Sequence, residues 1–250
     1  MIHSFLLIGQ SNMAGRGFFD EAVEVDKTHI KVLRNGRWQS MYRPVNCDRP
    51  FSGVCLAESF AEKYADKYGV DVGLIPCADG GTSLEQWKPG SLLFDNAVYQ
   101  SKLASRTSTI AGVLWHQGEA DCGVELADTY KQRFEVILNT LRKELDLYDV
   151  PFLLGGLGDF LKDCPLDEKL KNYNSVNKQL ELISKYNDMV GYVSAAGLGS
   201  NPDKLHFSAN ALYEFGIRYF DVFEKYRNSN KVFEEKPCMD DATRSAMELL

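Results

Sequence analysis

The chain has 250 residues, 44% hydrophobic and 25% charged, which is the balance of a soluble globular protein able to bury a sizeable core. Acidic residues outnumber basic ones by 35 to 28, a net charge of −7, which argues against the basic face that a nucleic-acid or anionic-membrane binder needs. The six cysteines (Cys47, Cys55, Cys77, Cys122, Cys164 and Cys238) form no CxxC pair, and a chain of this length needs no disulfide staples, so they are read as reduced thiols.

The first element is a short apolar run over Ser4–Ile8, read as a buried strand. Its flank carries no basic segment and the run is too short for a secretory signal, so a cytoplasmic location is expected. No later stretch approaches the roughly 20 apolar residues of a membrane span. The segment from Gly17 to Ser52 is irregular, with a hairpin signal at Asn35-Gly36. Next comes a helix over Ala57–Tyr68, with Phe60, Tyr64 and Tyr68 one turn apart, and a strand over Val70–Ile75. Further strands are expected over Ile110–Trp115, Val150–Leu154 and Met189–Val193. Helical periodicity fills the gaps: Tyr130–Leu147, on Phe134, Ile137, Leu138 and Leu141; Leu166–Tyr186, on Leu170, Tyr173, Val176, Leu180 and Ile183; and Ala209–Tyr226.

Strands apolar on both faces, alternating with helices, predict an α/β fold: a three-layer α/β/α sandwich around a parallel sheet of about five strands. No linker is evident. One domain is expected over residues 1–229, with a peripheral tail over 230–250.

Open α/β sheets bind ligands beyond the carboxyl ends of their strands, so the residues there matter most. The first strand runs into Gly9-Gln10-Ser11-Asn12, the second into Asp79-Gly80-Gly81-Thr82 and the third into His116-Gln117-Gly118-Glu119. A loop after the fifth leads to Asp203-Lys204-Leu205-His206. Ser11 is a nucleophile candidate if a base takes its proton. His3 lies at the wrong end of its strand and His29 in the irregular segment. His206, three residues after Asp203, is the better base, because the carboxylate can reach one ring nitrogen and leave the other for a hydroxyl. The Ser11 and Gly81 N–H groups and the Gln117 side chain are candidate donors to an oxyanion. Each feature alone also has a plain structural reading, as a turn, a cap or a packing group; together they fall at one sheet edge.

Four blocks, GQSNMAG, GGTSLEQW, WHQGEAD and DKLHF, resemble those of the SGNH-type hydrolases, which have a flavodoxin-like fold. The match is closest to carbohydrate esterase family six, the sialate O-acetylesterase and acetylxylan esterase group, and it runs from Ile8 to Phe207. The resemblance implies Ser11 as nucleophile, His206 as base, Asp203 as its orienting partner, and an oxyanion hole of Ser11, Gly81 and Gln117. Gln117 stands where the wider superfamily has asparagine. The Gly-x-Ser-x-Gly pattern of the α/β-hydrolases is absent, since Met13 takes its final position. The implied activity is removal of O-acetyl groups from a saccharide such as a xylan fragment or a sialic acid, with no metal or organic cofactor. Asn12, Arg16, Asp20, Trp87, His116 and Glu119 are candidates for substrate contact or support, with Trp87 as a stacking surface. A histidine base predicts activity falling below roughly pH 6 to 7. The rivals are a carbohydrate-binding module without turnover, a lipase or thioesterase for other acyl esters, and a metal hydrolase using Asp79, Glu119, Asp121 and His206.

Overall fold

A strand buried on both faces must lie inside a sheet that is covered on both sides. The computed structural model describes residues 1–227, and among these seven strands form one sheet: β1 (Ile2–Gly9), β2 (Ile30–Arg34), β3 (Arg37–Ser40), β4 (Asp71–Pro76), β5 (Thr109–His116), β6 (Phe152–Gly155) and β7 (Val190–Val193). Their order is β3-β2-β4-β1-β5-β6-β7. Neighbours run parallel except β2 and β3. The five strands expected from the sequence are β1, β4, β5, β6 and β7. Their spatial order, with the first between the second and third, is that of flavodoxin-like doubly wound folds.

The expected count of about five strands is corrected at one edge. The Asn35-Gly36 turn, with φ of 52° and 74°, joins β2 to β3 as a hairpin, and β2 then pairs with β4. β3 is exposed or half-exposed along its length and polar, so it carries no apolar run to mark it.

The helices are α1 (Ser11–Ala14), α2 (Ala57–Tyr68), α3 (Leu84–Trp87), α4 (Leu92–Ala104), α5 (Val124–Asp128), α6 (Tyr130–Leu145), α7 (Tyr173–Tyr186) and α8 (Ala209–Arg227). One layer is α2 packed on α8, where Phe5 of β1 meets Phe60, Tyr64 and Phe223 edge-on at 4.8, 4.8 and 5.7 Å between ring centroids. The other layer is α4, α6 and α7, where Trp115 of β5 meets Phe134 at 5.0 Å. The helix expected over Leu166–Tyr186 starts later. Asp167 accepts a hydrogen bond from the Lys169 N–H, and Glu168–Asn172 form a tighter 3₁₀ segment before α7 begins. A short acidic side chain bonding its own backbone competes with α-helix in this way.

The five described cysteines are free; Cys47 is exposed and the others are buried. Burial pushes the Cys77 thiol up to about 12 and raises those of Cys55 and Cys122. Cys238 and the tail expected over 230–250 lie outside the described residues. Among the described residues, no helix is long and apolar enough to cross a membrane. What the fold does for the site is to open a crevice where the connections after β1 and β5 turn to opposite sides of the sheet.

Candidate active site

Ser11 sits in that crevice. The Gln10 N–H donates to the His116 carbonyl (2.9 Å), carrying the β1–β5 pairing one residue past the strand end. The chain then turns sharply: Met13 and Ala14 both donate to the Gln10 carbonyl (3.0 Å each), and Gly15 donates to that of Ser11 (2.8 Å). Ser11 is 7% exposed, on a backbone that these bonds fix.

The loop before α8 brings His206 to it. One carboxylate shapes that loop and orients the ring. Asp203 Oδ1 accepts the N–H groups of Leu205 (2.9 Å) and His206 (3.0 Å), while Oδ2 lies 2.7 Å from His206 Nδ1. An ionised carboxylate only accepts, so Nδ1 carries the proton and Nε2 is left as an acceptor. Nε2 lies 3.1 Å from Ser11 Oγ. Burial opposes the charge on Asp203, but the two backbone N–H groups and the His206 ring outweigh it and hold the carboxyl below its ordinary value.

Two asparagines lock the His206 loop to the serine segment. Asn12 Oδ1 accepts the Phe207 N–H (3.1 Å), and its Nδ2 donates to the Leu205 carbonyl (3.2 Å) and to Glu119 Oε1 (2.6 Å). Asn201 donates to the Arg16 carbonyl from Nδ2 (2.9 Å), and its own N–H bonds the His206 carbonyl (2.7 Å).

The turn after β4 forms the facing wall. Gly80 packs so closely that an added Cβ would lie 2.6 Å from Arg16 Nη2 and 3.5 Å from the Ser11 Cβ. Gly81 has φ 78°, the left-handed region that favours glycine, and nothing crowds it. Asp48 holds this turn in place. Its Oδ2 accepts the Gly80 N–H (2.8 Å), its two oxygens take both ends of the Arg16 guanidinium (3.1 and 2.6 Å), and Oδ1 also accepts the Ser52 hydroxyl (2.8 Å). Burial works against the Asp48 charge, yet Arg16, Ser52 and Gly80 together keep its carboxyl below the usual range. Arg49 adds a second strap, from Nη2 to Asp79 (2.9 Å) and to the Gly80 carbonyl (3.0 Å). Among the described residues, the Ser11 and Gly81 N–H groups have no protein acceptor.

Gln117 departs from its expected place in the oxyanion hole. It is fully buried, and Nε2 donates to Asp121 Oδ2 (2.7 Å) and the Thr82 carbonyl (3.0 Å), so both amide hydrogens are spent inside the fold. The Tyr130 hydroxyl lies within donating distance of both Oε1 (2.9 Å) and the Gln117 backbone carbonyl (3.0 Å). Turning the amide round would set its oxygen against the acceptors that surround Nε2.

The expected substrate contacts are corrected in the same direction. Asn12, Arg16, Trp87, His116 and Glu119 are 1%, 6%, 0%, 0% and 3% exposed. Trp87 cannot stack on a ligand: it lies against Trp115 in the core and donates to the Thr82 hydroxyl (3.0 Å). His116 Nε2 lies 3.1 Å from the Gly156 carbonyl, with the ring edge-on to Phe207 and Phe215, and burial lowers its pKa. Arg16 is neutralised by Asp48, and Glu119 braces Asn12. The carboxylates of the metal-hydrolase alternative are engaged elsewhere, Asp79 with Arg49 and Asp121 with Arg133. Among the described residues, no group of three or more His, Cys, Asp or Glu is placed to hold a metal ion.

Asp48 and Asn201 carry no motif that marks them, and Gln10, inside the GQSNMAG block, has no role that the sequence assigns. Gln10 Oε1 receives long bonds from Gly118 and Ala120 N–H (3.4 Å each), pinning the loop after β5 to the serine turn. Asp48 and Asn201 lie in irregular loops, where only the long-range contact reveals a role.

A cleft of about 590 Å³ opens beside this assembly, and His206, Asp203 and Arg16 form part of its wall. A buried nucleophile candidate, an oriented imidazole and unpaired backbone donors beside a cleft are the parts of an acyl-transfer site. Comparison with known proteins agrees in class: the family model described as "Carbohydrate esterase, sialic acid-specific acetylesterase" matches residues 1–225. The chain belongs to that family. It is a carbohydrate esterase, and so a carboxylic ester hydrolase. A probable carbohydrate esterase of Arabidopsis thaliana is 27% identical to it over 242 residues, 85% of this chain and 86% of that one. A solved Arabidopsis thaliana structure superposes on this esterase with a TM-score of 0.79 at 26% identity, covering 89% of this chain and 98% of the other. NanS has the same fold (TM-score 0.69, 16% identity, covering 92% and 98%). So does a carbohydrate acetylesterase from Xanthomonas citri (TM-score 0.63, 18% identity, covering 91% and 57%).

Proposed function

We propose that this esterase removes O-acetyl groups from a saccharide through an acetyl-serine intermediate, as the SGNH-type hydrolases that its sequence resembles would imply. The reading rests on one observation above the others: the run from Ser11 Oγ to His206 Nε2 (3.1 Å) and from His206 Nδ1 to Asp203 (2.7 Å).

Ser11 Oγ attacks the ester carbonyl carbon while its proton passes to His206 Nε2. The carbonyl oxygen takes up negative charge and faces the Ser11 and Gly81 N–H groups. The bond from carbon to the sugar oxygen then breaks, and that oxygen leaves with the proton from Nε2. Water gives a proton to the freed Nε2, attacks the acetyl carbon and releases acetate, and Ser11 regains its hydrogen. Asp203 stays ionised throughout and stabilises the imidazolium formed in each half.

A chain-length series of p-nitrophenyl esters, with acetate release from acetylated saccharides, tests the reading. The acetyl ester is expected to have the highest kcat/KM, falling as the acyl chain lengthens. Faster turnover of an octanoyl than an acetyl ester, or no ester turnover at all, contradicts it.

A further inference from the structure

The cleft beside His206 has a distinctive wall. Phe18, Phe19 and Phe51, all in the irregular segment after β1, line it and are 45%, 52% and 69% exposed. Asp20 stands among them and, among the described residues, has no hydrogen bond or ion pair. Among the described residues, Arg16 is the only Arg or Lys that lines the cleft, and its guanidinium is already held at both ends by Asp48 while lying 5.3 Å from the Phe51 ring centroid.

His206 must return its proton to the departing sugar oxygen, so that oxygen has to come within about 2.6–3.2 Å of Nε2. The rest of the alcohol then extends into the space that the His206 ring borders. We infer that this cleft is the sugar subsite and that it takes an uncharged acetylated pyranoside in preference to an O-acetylated sialic acid, an inference that rests on the proposed ester hydrolysis. Three exposed aromatic side chains on the cleft wall suit the C–H face of a neutral sugar ring, and the Asp20 carboxylate accepts from its hydroxyls. Among the described residues that line the cleft, the carboxylate of a sialic acid would find no free cation. It would instead face Asp20 and Asp203, and an anion moved from water into such a site without a partner is penalised.

The test compares kcat/KM for acetylated methyl xyloside, for O-acetylated N-acetylneuraminic acid, for p-nitrophenyl acetate and for methyl acetate. The xyloside ester is expected to exceed the sialic acid ester by about tenfold or more. Phe51→Ala is expected to lose roughly five- to tenfold more kcat/KM on the xyloside ester than on methyl acetate, whose leaving alcohol has no ring to pack on the cleft wall, mainly through KM. Asp20→Lys is expected to narrow the preference against the sialic acid ester. A wild-type preference for the sialic acid ester, equal losses on all esters in Phe51→Ala, or turnover of p-nitrophenyl acetate but of neither sugar ester would each overturn the inference. Absence of turnover on every ester would instead strike the hydrolase reading, and the subsite with it.

Discussion

Ser11→Ala is expected to lower kcat on p-nitrophenyl acetate by about 10⁴-fold or more, His206→Ala by a comparable factor, and the pair by little more than either alone. The reason is that the two groups act as one unit. Without the hydroxyl there is no acyl acceptor; without the imidazole the hydroxyl keeps its proton and is a poor nucleophile. Steady-state kinetics on purified variants, with thermal melts to show retained folding, read the result directly. Purely additive losses would mean that the 3.1 Å contact between Ser11 Oγ and His206 Nε2 is not the proton path.

Asp48→Ala is expected to act twice. Arg16 is 6% exposed and would keep its charge with only the Gly15 carbonyl to bond and no counter-charge, at a cost of about 3–5 kcal/mol in folding stability. The Gly80 N–H would lose its acceptor, freeing the turn that aims the Gly81 N–H, and misplacing one oxyanion donor lowers kcat by about 10²–10³. Asp48→Asn keeps an acceptor for Gly80 and should lose less kcat than the alanine variant. The same carboxylate imposes a pH dependence on stability. Because its folded-state pKa is depressed, its contribution is complete above the unfolded value of about 3.9 and is lost as pH falls through the lower folded value. Thermal melts of the wild type should therefore drop below roughly pH 4, and those of Asp48→Asn should drop less steeply. Melts and kcat of Asp48→Ala matching the wild type would show that the Arg16–Asp48 pair positions nothing.

Much of the fold was legible in the sequence because the interior strands are apolar on both faces and end in glycine and polar residues. The hairpin of β2 and β3 showed only its Asn35-Gly36 turn, for β2 is short and broken by Lys31, and the edge strand β3 is exposed or half-exposed. Ser11, Asp203 and His206 each read alone as a turn or a cap; they were expected together because they fall at one sheet edge, and the structure brings them within hydrogen-bond reach. The expected contacts failed for the opposite reason. A polar residue beyond a strand can turn into the crevice or back into the fold, and the sequence does not say which. Gln117, His116 and Glu119 all turn back, toward Asp121, Gly156 and Asn12. Arg16 reads as a free cation until the chain brings Asp48, 32 residues on, against it. The cleft's aromatic wall lies in the irregular segment, where no periodicity marks which side chains will face a ligand.

The most direct test is to inactivate the esterase with a serine-directed organophosphorus reagent and map the adduct by peptide mass spectrometry. The expected result is one adduct per chain, on Ser11, with activity lost in proportion to labelling and labelling strongly slowed in His206→Ala. Complete inactivation with the adduct on another residue, or undiminished activity with Ser11 fully labelled, would contradict the assignment of Ser11 as the nucleophile.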